Sequence, residues 1–190
     1  GKFTGGMAMY KAAGFSVGLG YNKRENEKAQ ASLTSTVLGA TLNLGPGAIY
    51  TELVRVKDDN PSGMSGIAAQ VTSAVGAATA ALVQSSFINA FKQDASAFHI
   101  GYKMPIGQHT FYVAYNKLND KRPANADVSS YGFAYTHALS KRTDINLVVT
   151  RFVNTENAQA APGAAGYLGG VTTSAGTDAS SFALGLRHRF

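Results

Sequence analysis

Four histidines, His99, His109, His137 and His188, are the side chains of this sequence best suited to proton transfer near neutral pH. Set beside serines and carboxylates on a sheet wall, they would be the makings of a hydrolase. No Gly-x-Ser-x-Gly elbow or His-Glu-x-x-His pair accompanies them, and no acid stands at a spacing that would orient a histidine ring. The acids are not clustered as a calcium site needs, and the absence of cysteine removes thiolate ligands and nucleophiles together. The expectation is therefore no enzyme, no cofactor, no metal and no catalytic residue, with His99 read instead as a titrating group on a polar surface.

Charge is the more informative chemistry. The sequence has 17 Lys+Arg against 11 Asp+Glu, a formal net charge of +6. Such a balance suits nucleic acid, an acidic membrane surface or an anionic solute, and position decides among them. The bases are spread over alternating positions, with no basic stripe and no aromatic platform among polar strands, so nucleic acid is excluded as a partner. Glu25, Glu27, Asp58, Asp59, Asp94, Asp120, Asp127, Glu156 and Asp178 fall in or beside long connections, leaving only Glu52 and Asp144 elsewhere. Lys11, Arg55, Lys57, Lys103, Lys117, Lys141, Arg142, Arg151, Arg187 and Arg189 lie in apparent strands or tight turns.

The elements that carry these charges read as strands. In the stretch Ser180–Phe190, Phe182, Leu184, Leu186, His188 and Phe190 share one face, and Ser181, Ala183, Gly185, Arg187 and Arg189 the other. The same alternation recurs at Phe15–Asn22, Ala97–Met104 and Tyr131–Thr136, and less regularly at Gly5–Lys11, Leu33–Leu44, Ala48–Lys57, Thr110–Leu118 and Thr143–Val153. Nine strands result, in one unit spanning 1–190.

Connections alternate in length. Lys11–Gly14, Gly45–Gly47, Pro105–Gln108 and Ala138–Arg142 are short, whereas Asn22–Ser32, Asp58–Ala95, Asn119–Val128 and Asn154–Ala179 are long. An up-and-down antiparallel meander with all tight turns at one end and all long loops at the other is the pattern of a transmembrane β-barrel. Such a barrel turns its apolar face to lipid and satisfies its backbone in a closed ladder. Phe15, Tyr21, Tyr102, Phe111, Tyr135 and Phe190 are then expected at the membrane interfaces. No apolar run is long enough for a spanning helix, and no attached signal peptide is visible, so the chain reads as mature or truncated at its start.

The ending Gly185-Leu-Arg-His-Arg-Phe190, with Tyr135-Thr-His-Ala-Leu-Ser-Lys-Arg-Thr-Asp144 bridging two strands, resembles the general porins of Gram-negative bacteria, especially the β-proteobacterial type. That resemblance implies a homotrimer of 16-stranded barrels, integral to the outer membrane. It also implies contact with outer-membrane lipid and lipopolysaccharide, and passive diffusion of ions and small hydrophilic solutes. Nine strands then correspond to strands eight to sixteen, incomplete at the N-terminus, without the family's constriction loop. Phe182, Leu184, Leu186 and Phe190 resemble the terminal signal read by the barrel-assembly machinery, which edge-to-edge strand addition explains physically.

Charges within strands are costly against lipid, so they are expected on the pore wall. Arg55, Lys57, His99, Lys103, Arg151, Arg187 and Arg189 are the pore-lining candidates, Lys103, Arg187 and Arg151 foremost, and the channel is expected to favour anions. An alternative is a small closed barrel acting as adhesin or structural anchor, plugged by its own side chains. The small residues Gly18, Gly20, Gly101, Gly132, Ala134 and Gly185 suit a wide interior better. Within the connection Asp58–Ala95, the uncharged stretch Asn60–Phe91 is alanine-rich over Ile67–Val83, which suits a short helix over the mouth or against a neighbouring subunit, or else a plain surface cap. The last long connection offers no ligand set and reads as a mobile loop.

Overall fold

A computed structural model describes residues 1–163 and 169–190. Residues 164–168, in the last long connection, lie outside the described residues, and the expectation of mobility made for that connection falls partly on them. The strands are β1 (Phe3–Ala12), β2 (Phe15–Glu25), β3 (Ala31–Leu44), β4 (Gly47–Asp58), β5 (Gln93–Ile106), β6 (His109–Asp120), β7 (Val128–Ala138) and β8 (Thr143–Asn154). A short pair, β9 (Ala160–Ala161) and β10 (Gly170–Val171), decorates the last loop before β11 (Ala179–His188).

The long strands form one nine-stranded antiparallel sheet in chain order, β1-β2-β3-β4-β5-β6-β7-β8-β11. This is the meander expected from the alternation. The sheet is not closed, and β1 and β11 are its two free edges.

Turn chemistry explains the regularity. Gly14 and Gly45 sit in the β1–β2 and β3–β4 turns at φ of 89° and 57°, where a side chain would be strained. Gly47 answers a different constraint, because a β-carbon there would lie 2.1 Å from the Lys103 carbonyl oxygen and 2.8 Å from the Tyr102 hydroxyl. That close approach lets the Tyr102 hydroxyl donate to the Leu44 carbonyl at 3.0 Å and tie β5 to the β3–β4 turn.

At the other end the connections run 26–30, 59–92, 121–127 and 155–178. The first is only a compact turn, because β2 extends through Glu25, beyond where the apolar alternation fades. The second holds two helices, α1 (Ile67–Val75) and α2 (Ala77–Phe91), split at Gly76, whose φ of 77° ends one helix before the next begins. The helical stretch is thus longer than the alanine-rich run suggested. Among the described residues, no helix is long and apolar enough to cross a membrane.

Little of the sheet is buried: among the described residues, the buried apolar ones are Ala80 and Ala158, both in connections. Both faces of the sheet are open, so its side chains are sorted by face rather than by depth.

Candidate functional site

The register assigns every strand residue to a face. On one face the cross-strand rows are apolar. Leu19 lies opposite Leu38, Leu38 opposite Leu53, and Leu53 opposite Phe98. Phe133 lies opposite Val149, and Val149 opposite Phe182. Phe15, Tyr21, Tyr102, Phe111 and Tyr135, expected at interfaces, all share this face, as do Leu184 and Leu186; Phe190 lies beyond β11 and is fully exposed.

The opposite face is mixed: small and polar residues are frequent there, with Met7, Met9, Val37, Val54, Leu118 and Val148 among them. Gly18 faces Gly39, Gly39 faces Glu52, and Glu52 faces His99. His99 Nδ1 meets Asn116 Oδ1 at 2.6 Å, and the Asn116 amide donates onward to Ser130 Oγ at 3.0 Å. Because that amide nitrogen is the donor, its oxygen accepts, and the imidazole proton sits on Nδ1. The ring lies over Gly101, where a β-carbon would come within 3.2 Å of Nε2. Glu52 was not singled out as a site residue, although a lone acid in mid-strand was the signal that marks it.

Lys103 shares this polar face. It makes no ion pair among the described residues, and its ammonium stands 5.6 Å from the centre of the Tyr112 ring. Nearer the short turns, Arg187 donates through Nε and Nη2 to Asp144 Oδ2 at 3.0 and 2.6 Å, while Asn146 donates to Asp144 Oδ1 at 2.6 Å. Arg189 follows β11 at the same parity, its backbone N–H donating to the Arg142 carbonyl.

Three of the seven expected pore-lining residues lie on the opposite face of the sheet from the other four. Arg55 and Lys57 share the strand parity of Leu53, and Arg151 that of Val149, so all three belong to the face that carries the apolar band. Charge alone grouped them with the other four; strand parity separates them, and all three sit toward the long-loop ends of their strands. There Arg55 pairs with Asp94, Lys57 with Asp59 at 2.7 Å and Arg151 with Asp178 at 2.8 Å. The other histidines lie on that face too, at the short-turn end. His109 Nδ1 is 2.7 Å from the Tyr135 hydroxyl and its ring stacks on His137, while His188 Nδ1 is 2.9 Å from Thr143 Oγ1.

A meander sheet with an apolar band on one face, tight turns at one end and loops at the other, is an arrangement that known proteins share. The Gram-negative porin family model matches residues 1–158. The chain belongs to the Gram-negative porin family.

Among solved structures, the anion-selective porin from Comamonas acidovorans is similar in fold, with a TM-score of 0.71 at 18% identity over 99% of this chain. The chain spans about half of that porin, 49% of its length. No curated protein sequence matches. The family and the fold are those of a channel, and the polar face of this porin chain is the face that a channel would turn to water.

The long-loop end carries its own architecture. The Glu27 carboxylate accepts from the backbone N–H of Gly63 at 3.0 Å and of Ser65 at 3.2 Å, clamping the base of the helical pair onto the 26–30 turn. Hydrogen bonds from Ser65 and Gly63 hold its pKa at about 2, well below the usual carboxylate value. Asn26 reinforces the contact by donating to the Asn60 carbonyl.

Proposed function

We propose that this porin chain forms part of the wall of a water-filled outer-membrane channel that passes ions and small hydrophilic solutes by passive diffusion, with a preference for anions. The observation that carries the reading is the two-faced sheet, apolar on one side and lined on the other by Gly18, Gly39, Gly101, Gly132 and Ala134 among scattered polar groups. Small inward residues suit a wide aqueous lumen and would fill a narrow plugged barrel poorly, which disfavours the adhesin or anchor alternative.

In lipid the free edges β1 and β11 would leave backbone groups unpaired, so further strands are required to close the ladder. We take the nine strands as one portion of a larger barrel that assembles as a homotrimer. Phe182, Leu184 and Leu186 on β11, with Phe190, form the apolar strand offered to the barrel-assembly machinery.

Selectivity rests on the lumen charges. His99, Lys103, Arg187 and Arg189 are retained as pore-lining residues. On this face Lys11, Arg24 and Lys103 stand with Glu52 and the strand-end acids Asp58 and Asp120, while Arg187 and Asp144 largely cancel. A low-dielectric wall focuses the field of the remaining cations on passing ions.

The test is the reversal potential of the full-length protein in a planar bilayer under a salt gradient. An anion-favouring potential that falls on Lys103→Glu supports the reading. A cation-favouring potential that the substitution leaves unmoved overturns the assignment of the lumen charges.

A further inference from the structure

Strand register brings together two side chains that lie far apart in the sequence, Glu52 on β4 and His99 on β5. They stand directly opposite one another on the face that carries Gly18 and Lys103, where cross-strand β-carbons are about 4.5–5.5 Å apart. His99 is held in one tautomer and one direction. Its Nδ1–H donates to Asn116 Oδ1 at 2.6 Å, and the Asn116 amide is fixed in turn by Ser130 Oγ at 3.0 Å. With the proton on Nδ1, Nε2 carries a lone pair.

Gly101 keeps that nitrogen open. A β-carbon there would stand 3.2 Å from Nε2 and 3.5 Å from Cε1, so any larger residue would crowd the free edge of the ring. Among the described residues no hydrogen bond or ion pair engages Nε2 or the exposed Glu52 carboxylate. Glu52, His99 and Asn116 line one side of a groove of about 390 Å³, with Val54, Ala97 and Leu118 along the other.

We propose that Glu52 and His99 bind a divalent transition-metal ion of the zinc or copper class. A histidine that ligates a metal donates its other ring N–H to a fixed acceptor, which sets the tautomer and aims the free nitrogen; Asn116 does this for His99. The unpaired carboxylate one strand away supplies the second, anionic ligand. Imidazole with carboxylate suits Zn²⁺ and Cu²⁺, whereas Mg²⁺ and Ca²⁺ take oxygen ligands throughout. No third His, Cys, Asp or Glu converges on the pair among the described residues, so water completes the coordination. Lys103 stands further along β5 on the same face, about 13 Å along the strand from His99, where salt screens its repulsion of a bound cation.

Binding is read first, without reference to conductance. The full-length protein in nonionic detergent at neutral pH is titrated calorimetrically with zinc chloride and, separately, with magnesium chloride. The wild-type protein should bind one Zn²⁺ more than either His99→Gln or Glu52→Gln, and Mg²⁺ should show no such difference. Asn116→Ala leaves both ligands in place but removes the anchor of Nδ1, and it should weaken the site about 10- to 100-fold. His109 and His137, whose rings stack at 4.7 Å on the opposite face, are the control: replacing both by Gln should leave the site that His99→Gln loses. Should His99→Gln fail to fold, Glu52→Gln and Asn116→Ala carry the same comparison.

The electrical consequence rests on the reading that this face lines the channel; binding itself does not. In a planar bilayer, Zn²⁺ at equal concentration on both sides should move the reversal potential further toward anions, because the bound ion adds positive charge to the wall, and His99→Gln should abolish the shift. Zinc binding undiminished in the His99→Gln and Glu52→Gln variants, or Mg²⁺ acting as Zn²⁺ does, overturns the proposal. Zinc binding that both variants lose, with no zinc effect on the reversal potential, would support the metal site and count against the channel reading of this face alone.

Discussion

Lys103 and Arg187 stand on the same face of the sheet but differ in what their charge can do. Arg187 spends two donors on one oxygen of Asp144, and to an ion a few ångströms away that pair is close to a dipole. Lys103 has no carboxylate partner among the described residues and acts at full charge. Neutralising both members of the pair, Arg187→Gln with Asp144→Asn, should therefore leave the reversal potential of the full-length channel nearly unchanged. Lys103→Gln alone should move it toward cations. A larger shift from the double variant would mean that the pair does not hold in the open pore. A steric constraint beside Lys103 is as local. A methyl group at Gly47 would enter the space of the Lys103 carbonyl, so Gly47→Ala should destabilise the protein by roughly 1–3 kcal/mol, read as a lower unfolding temperature with channel selectivity intact.

At the scale of elements, the helical pair α1–α2 is attached to the sheet end by few contacts, and Glu27 is among the principal ones. Its folded-state pKa is depressed to about 2 from an ordinary 4.5. The contribution to docking is thus complete above about pH 4.5 and is lost as pH falls toward 2, when the carboxylate that accepts from Gly63 and Ser65 is protonated. A fluorophore on Ser73→Cys, in a sequence with no other cysteine, reports this directly. Its anisotropy should fall on acidification from pH 5 to pH 2. With Glu27→Gln it should already be low at pH 5 and nearly flat. The helices also show where sequence patterning ran out: alanine propensity marked Ile67–Val83, but α2 runs on through Ser85 and Ser86 to Phe91, beyond the alanine-rich run. Strands were legible because a sheet with one apolar face writes period two into the chain. Three of the four tight turns were legible because their two-residue connections carry glycine, at Gly14, Gly45 and Gly107. The faces of Arg55, Lys57 and Arg151 were not legible, because Val54 and Val56 around Arg55, and Val148 and Val149 near Arg151, blur the parity. Parity counted from each tight turn puts all three on the face of Leu53 and Val149.

For the whole molecule the decisive feature is that the ladder is open. Strands β2 to β8 are paired on both sides, whereas β1 has only β2 and β11 has only β8. In water a bare edge is solvated; within hydrocarbon each unpaired N–H or C=O costs several kcal/mol, and over ten-residue edges no packing of side chains offsets that. Closure by further strands, covalent or not, is therefore a requirement of the membrane environment. Amide hydrogen exchange distinguishes the two states without any reference to conductance. In the full-length protein, β1 and β11 should exchange as slowly as the central strand β5, since every amide then has a ladder partner. In a polypeptide of residues 1–190 alone, alternate amides of β1 and β11 should exchange far faster than those of β5, and the edges should drive association between copies. Fast exchange at these edges in the full-length protein would mean that the barrel closes elsewhere, and the assignment of β1 and β11 to the seam with the remaining strands would fall.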